Sequence, residues 1–240
     1  MIVIIGTAGW SIPAQDREAF PAEGAALERY AARFGGLEIN SSFHRPHRAS
    51  TWERWGASVP DVFLFSVKLP KTITHQHKLV GAEESLTAHL ADAALLGTKL
   101  TVHLVQLPPS LAFDPAAAEE FFELLGSASP AAIACEPRHA SWFEPEADAL
   151  MQRCRVARVA ADPARVPLAA ELGGWRGLSY FRLHGSPAMY RSSYRDGRLE
   201  AYASAIAQAP GPTWCIFDNT ASSVATGDAL TLIEVLAGME

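Results

Sequence analysis

Short apolar runs in this chain repeatedly end in residues able to do chemistry. Ala131-Ala-Ile-Ala-Cys135 meets Glu136-Pro137-Arg138-His139, and Leu37-Glu38-Ile39 leads to Asn40. Val62–Val67 stops at Lys68, Leu104-Val105 at Gln106, Tyr180–Leu183 at His184-Gly185, and Trp214–Phe217 at Asp218-Asn219-Thr220. Strand residues two apart share a face, roughly 7 Å from each other. This alternation places Glu38 with Asn40, Glu136 with Arg138, and Arg182 with His184. A carboxylate beside an arginine is held ionised, so Glu136 is expected to orient ligand groups. Glu38 has no cation in its own strand and is expected to exchange protons as the general acid or base, a role that Lys68 or Arg182 would reverse by meeting it across the barrel. Lys68 and Arg182 are expected to stabilise negative charge, with His184 a proton donor or anion contact. Asn40, Gln106 and Asn219 would orient a ligand. Trp10 and Trp142, near strand tips, would offer ring faces. His75, Arg138, His139, Asp218 and Thr220 complete the expected ligand contacts.

The same residues admit other chemistry. His75, Glu136, His139, His184 and Asp218 are metal-ligand types, and strand ends can each supply one ligand without local spacing. Neighbouring arginines oppose a dication there, so no residue is assigned to a metal and no cofactor is required. A divalent metal remains the alternative. An anion site is a third option: Arg182, His184-Gly185-Ser186 and Asn219–Ser223 precede a helix expected to begin near Thr226–Asp228, whose free N–H groups would face the ligand. Asp228 would compete with that anion. Gly-x-Ser-x-Gly is absent, and Ser41, Ser42 and Ser141 have no local His/Asp arrangement.

These residues need a frame that gathers strand ends. Strands are expected near 2–6, 36–40, 62–68, 100–106, 131–136, 156–161, 178–184 and 213–218. Most are too apolar for a sheet wetted on one face and suit a helix-covered parallel sheet. Between them, 25–34 stops at Gly35-Gly36, 83–96 stops at Gly97, and 115–126 opens on Asp114-Pro115. Further helices are expected near 51–58, 145–153, 198–208 and 228–237. Eight such units in 240 residues predict a TIM-barrel-like (β/α)8 parallel barrel, one domain over 1–240, acting at the C-terminal rim of its strands. The segment 69–82 is expected to be a lid or substrate loop. Net charge −6, with no basic tail, argues against a broad nucleic-acid surface. The opening apolar run is too short to span a membrane, and Cys135, Cys154 and Cys215 lack metal spacing. A cytoplasmic enzyme performing hydrolysis or isomerisation on a small polar or anionic ligand is expected, with a metal-dependent enzyme of the same fold or a non-catalytic ligand-binding or scaffold barrel as the alternatives.

At these strand ends the chain resembles the YecE-like family, the domain of unknown function 72 proteins. The segments carrying the resemblance are Gly6-Thr-Ala-Gly-Trp10, Glu38-Ile-Asn-Ser-Ser-Phe43, Phe65-Ser-Val-Lys68 with Ile73-Thr-His75, and Gln106-Leu-Pro-Pro109. They continue with Glu136-Pro-Arg-His-Ala-Ser-Trp-Phe143, Arg182-Leu-His-Gly185, and Asp218-Asn-Thr220 with Ala225. They occur in family order along nearly the whole chain. The resemblance implies an eightfold strand–helix barrel and supplies no reaction. His44 replaces a usual Tyr, Asp218 a usual Asn, and Ser223 and Asp228 a usual Gly and Asn. The last strand's rim is therefore more acidic here.

Overall fold

A computed structural model describes residues 2–195 and 197–239. Alternation along the strands builds two separate apolar surfaces. Phe65, Val67, Ile133, Cys135, Phe181 and Phe217 face outward into clusters shared with the helices. Ile4, Val102, Leu104, Ala134, Val159, Tyr180, Trp214 and Ile216 face inward and form a cluster of their own. A strand apolar on both faces survives only when both are covered, and that is the arrangement here.

The strands are β1 (Val3–Thr7), β2 (Gly36–Ile39), β3 (Leu64–Lys68), β4 (Leu100–Gln106), β5 (Ala132–Glu136), β6 (Val156–Arg158), β7 (Ala160–Asp162), β8 (Gly173–Gly174), β9 (Ser179–Leu183) and β10 (Thr213–Phe217). The helices are α1 (Ala26–Ala31), α2 (Ala49–Ala57), α3 (Glu83–Ala93), α4 (Pro115–Ala128), α5 (Pro145–Arg153), α6 (Arg198–Ala207) and α7 (Ala225–Ala237). Two mostly parallel sheets result, a mixed α/β fold. One has the order β1-β10-β9-β7 and the other β2-β3-β4-β5-β6-β8, with only β8 antiparallel to its neighbour. Among the described residues, no helix is long and apolar enough to cross a membrane.

The sheets meet in two places. The run expected as one strand over 156–161 is interrupted at Val159, because its halves serve different neighbours. Val156–Arg158 pairs with β5, whereas Ala160–Asp162 pairs with β9. At the other junction Ala8 bridges Glu38, and Gly9 N–H donates to the Glu38 carbonyl at 2.8 Å. Glycine permits that approach: a Cβ on Gly6 would lie 2.2 Å from the Gly36 carbonyl oxygen. 

The helix expectations hold to within a few residues. Asp114 caps α4, accepting from the N–H groups of Ala116 and Ala117 at 3.0 and 3.2 Å. The α7 helix starts at Ala225, three residues before the expected 228. The segment 69–82 is a correction to the lid reading. Leu69, Ile73, Leu79 and Ala82 are buried in one cluster around a π-helical turn at Thr72–Gln76. Its apolar residues tie it to the body of the fold.

Candidate active site

The C-terminal ends of the strands converge on Arg182. It stands on the inner face of β9, one layer above Tyr180, and is 0% exposed. Its guanidinium grips Glu38 of β2 with two bonds, Nε to Oε2 at 3.0 Å and Nη2 to Oε1 at 2.7 Å. Nη1 donates to Glu136 Oε2 of β5 and, at 3.2 Å, to Gln106 Oε1 of β4. Nη2 also reaches Asp218 Oδ2, just beyond β10, at 3.2 Å. Five strands thus contribute to one buried cluster. Glu136 takes a second arginine, Arg138 Nε, at 2.8 Å. Arg138 in turn donates to the Tyr190 hydroxyl at 3.4 Å. His184 lies between two acids, Nδ1 at 3.0 Å from Asp218 Oδ2 and Nε2 at 3.3 Å from Glu136 Oε1.

Paired charges decide the protonation states. Burial by itself would raise Glu136, but Arg182, His184 and Arg138 outweigh it and hold the carboxyl well below its usual range. The same contest, won mainly by Arg182, lowers Asp218. Burial would lower His184, yet the Glu136 charge and its hydrogen bond with Asp218 raise it, favouring the imidazolium. Three carboxylates are thereby matched by Arg182, Arg138 and His184.

Lys68 is the charge left over. It is 7% exposed, and its Nζ sits 4.2 Å from the centre of the Phe43 ring. Among the described residues, Nζ has no carboxylate oxygen within 4.0 Å and no hydrogen-bond partner. Burial foremost, and Arg182 next, push its pKa down to about 8, against the pull of Glu38, Asp218 and Glu136. His75, bonded to Thr74 Oγ1 at 2.8 Å and edge-on to Phe43, is lowered by burial and by Lys68 and Arg138.

Several expected residues stand elsewhere or act differently. Glu38 does not lack a cation: Arg182 arrives from across the strands and occupies both its oxygens, and Tyr180 donates a third bond at 2.9 Å. Trp142 is buried to 1% against Phe113 and Phe122, its Nε1 donating to the Leu111 carbonyl, which removes it from ligand contact. His139 caps the turn at Ala140–Phe143 by accepting from the Ser141 N–H. Asn219 donates to the Ser192 carbonyl and to Asp228 Oδ2, so it holds backbone in place. Thr220 lies exposed at the following turn. The anion position expected there is filled from within. Asp228 receives Ser193 Oγ, the Tyr194 N–H and Asn219 Nδ2, which takes Asn219 away from an anion there.

Tyr180 and Ser66 were missed by sequence reasoning. The Tyr180 hydroxyl donates to Glu38 and lies 2.9 Å from Ser66 Oγ, forming the floor of the site. Each lies two residues before a polar strand end, so alternation alone marks them. Trp10 faces a neighbouring cleft of about 690 Å³, edge-on to Trp55 at 5.1 Å. Arg17, Arg29 and Arg45 line that cleft with no acidic residue, and Asn40 joins it to the mouth by donating to Asp218 Oδ1 at 3.5 Å.

No group of three or more His, Cys, Asp or Glu side chains among the described residues is arranged to hold a metal ion. Arginine N–H groups already occupy the oxygens of Glu136 and Asp218 that would have to turn toward one.

A family model described as "Protein of unknown function DUF72" matches residues 4–240. The chain belongs to the DUF72 family. A DUF72 crystal structure from Thermotoga maritima MSB8 superposes with a TM-score of 0.78 at 23% identity, covering 99% of this chain and all of that one. Another from Enterococcus faecalis V583 gives 0.80 at 19% identity, covering 98% and 96%. These likenesses show the shared fold. UPF0759 protein YecE of Escherichia coli K12 is 29% identical over 107 residues, which is 45% of this chain and 38% of YecE.

Proposed function

We propose that this DUF72 protein is an enzyme performing acid–base chemistry, hydrolysis or isomerisation, on a small anionic or phosphorylated ligand at the C-terminal rim of a (β/α)8 barrel. The two sheets read as one eight-stranded barrel, with the run through Val159 joining one seam and the Ala8–Glu38 bridge the other. Function in such barrels concentrates at this rim. The buried free thiols Cys135 and Cys215 suit a reducing, cytoplasmic compartment.

The observation that carries the reading is Lys68. The Lys68 ammonium is largely buried and has no acceptor among the described protein atoms, which favours an anion beside it. The surrounding carboxylates are already matched by other cations, so that anion is best supplied by a ligand. The charges of Lys68 and Arg138 are both felt at His75, and the arginine-lined cleft beside Asn40 can take a second anionic group. The network also moves the proton-exchange role away from Glu38, which is clamped, to Lys68 and His184. Glu38, Glu136 and Asp218 then serve as fixed charges that need no reorganisation as the reaction proceeds.

Titration calorimetry with inorganic phosphate tests this. Binding by the wild type is expected, weakened at least tenfold in Lys68→Met and fading as pH rises through about 8. Absence of phosphate binding at millimolar concentration, or equal binding by the variant, would overturn the reading.

A further inference from the structure

We infer that Lys68 is a covalent nucleophile, whose amine condenses with the carbonyl carbon of a small oxo acid or aldehyde bearing an anionic group. The inference rests on the mouth being a site for a small anion and adds the ligand's reactive group. The geometry differs from that of the other lysines. The chain has four, and Lys71 and Lys78 are solvent-exposed, while Lys99 donates to the Gly56 and Val59 carbonyls, both at 2.7 Å. Lys68 alone combines burial, an unbonded nitrogen and a place at the end of an inward-facing strand position.

The surroundings suit amine chemistry. A cationic neighbour and an apolar wall are the two devices that activate an amine nucleophile. Here the neighbour is Arg182, clamped in place by three carboxylates, and burial desolvates the amine, outweighing the Phe43 ring face, which favours the ammonium. At pH 7.5 an amine with a pKa near 8 is about one quarter neutral, against about one thousandth for an ordinary lysine. Its lower basicity returns part of that gain in reactivity. Arg138, whose charge together with that of Lys68 is felt at His75, would hold the ligand's anionic group.

The step balances without an outside reagent. The Lys68 nitrogen lone pair forms a C–N bond to the carbonyl carbon, and a proton passes from nitrogen to oxygen to give a carbinolamine. The C–O bond then breaks as the nitrogen pair forms C=N. The oxygen leaves as water with one hydrogen from the amine and one proton from solvent, equal to the proton that the Lys68 ammonium released on becoming the free amine, and the other amine hydrogen stays on nitrogen. The protonated imine so formed is an electron sink for breaking a bond next to the former carbonyl.

The probe is glyoxylate, which carries an aldehyde and a carboxylate in the smallest possible frame. Wild-type protein is incubated with glyoxylate and sodium cyanoborohydride at pH 7.5, and reduced adducts are located by peptide mass spectrometry. Lys68 is expected to label at least tenfold faster than Lys71 and Lys78, which report background reactivity in the same sample. Labelling that follows exposure, with Lys71 and Lys78 ahead of Lys68, would overturn the inference. Phosphate calorimetry on the same preparation separates the two claims. Phosphate binding without a Lys68 adduct leaves the anion site standing and removes the nucleophile. A fast Lys68 adduct without phosphate binding keeps the nucleophile and removes the phosphate reading.

Discussion

Replacing Lys68 by methionine should make the protein more stable at neutral pH. Met keeps the length of the side chain over Phe43 and discards the ammonium. Folding carries Lys68 from its ordinary value of 10.5 to about 8, and that displacement is worth about 3 kcal/mol of destabilisation wherever the amine is charged in both states. The sign follows from proton counting. Between about 8 and 10.5 the unfolded chain binds more protons at this position than the folded one, so wild-type stability gains with rising pH across that window. Below about 8 the full penalty is present. The variant should therefore exceed the wild type by about 3 kcal/mol at pH 7, less about 1 kcal/mol for the lost ammonium–ring contact. The gap should close to less than about 1 kcal/mol by pH 10. Urea unfolding of both proteins at pH 7, 9 and 10 measures it, and differencing cancels every other titrating group that the mutation leaves alone. A variant less stable than wild type at pH 7, or a gap that does not shrink toward pH 10, would refute the reasoning that Lys68 is an uncompensated buried charge.

Other perturbations test the frame around it. Glu136→Gln leaves Arg182 and Arg138 short of an anion and should cost about 3 kcal/mol or more at pH 7. The depressed carboxyl contributes above about 4.5 and loses that contribution as pH falls through its folded value, so thermal melts from pH 7 down to 3 should show the gap narrowing in acid. Tyr180→Phe removes the hydroxyl that bonds Glu38 and Ser66 and should lower stability by about 1–2 kcal/mol in denaturant titration. Gly6→Ala drives a Cβ into the Gly36 carbonyl and should cost more than about 2 kcal/mol, whereas Gly35→Ala meets only Ile4 at 3.6 Å and should shift the melting temperature little.

Much of the frame was legible because alternation and length act locally. Phe65 and Val67 against Ser66 and Lys68 declare two faces within five residues, and Asp114-Pro115 declares a helix start within two. The pairing of Glu136 with Arg138 was legible for the same reason. What stayed hidden depends on distance across the chain. Glu38 and Arg182 are 144 residues apart, and no local pattern says that one grips the other. Trp142 followed a polar strand end, yet Leu111 and Phe113, from another loop, provided a partner for its N–H and a wall for its ring. The run at 156–161 looked uniform because its break at Val159 arises from its neighbours on either side. Asp228 could be recognised as a competitor for an anion, but only the folded loop at Ser193 and Tyr194 makes it the occupant.

The wide separation of these charges also has a temporal side. A ribosome emits Glu38 first, and at typical speeds Arg182 follows about seven to thirty seconds later. Throughout that interval Glu38 lacks its guanidinium and Glu136 has only Arg138, so the early strands cannot desolvate their rim without burying a bare Glu38 carboxylate. The strand β10, the hydrogen-bond partner of β1, must arrive later still, with Asp218 directly after it. Assembly of the rim is thus held back until most of the chain exists. Arg182, which closes the ion pairs with Glu38, Glu136 and Asp218, is among the last groups the rim needs before it can be buried.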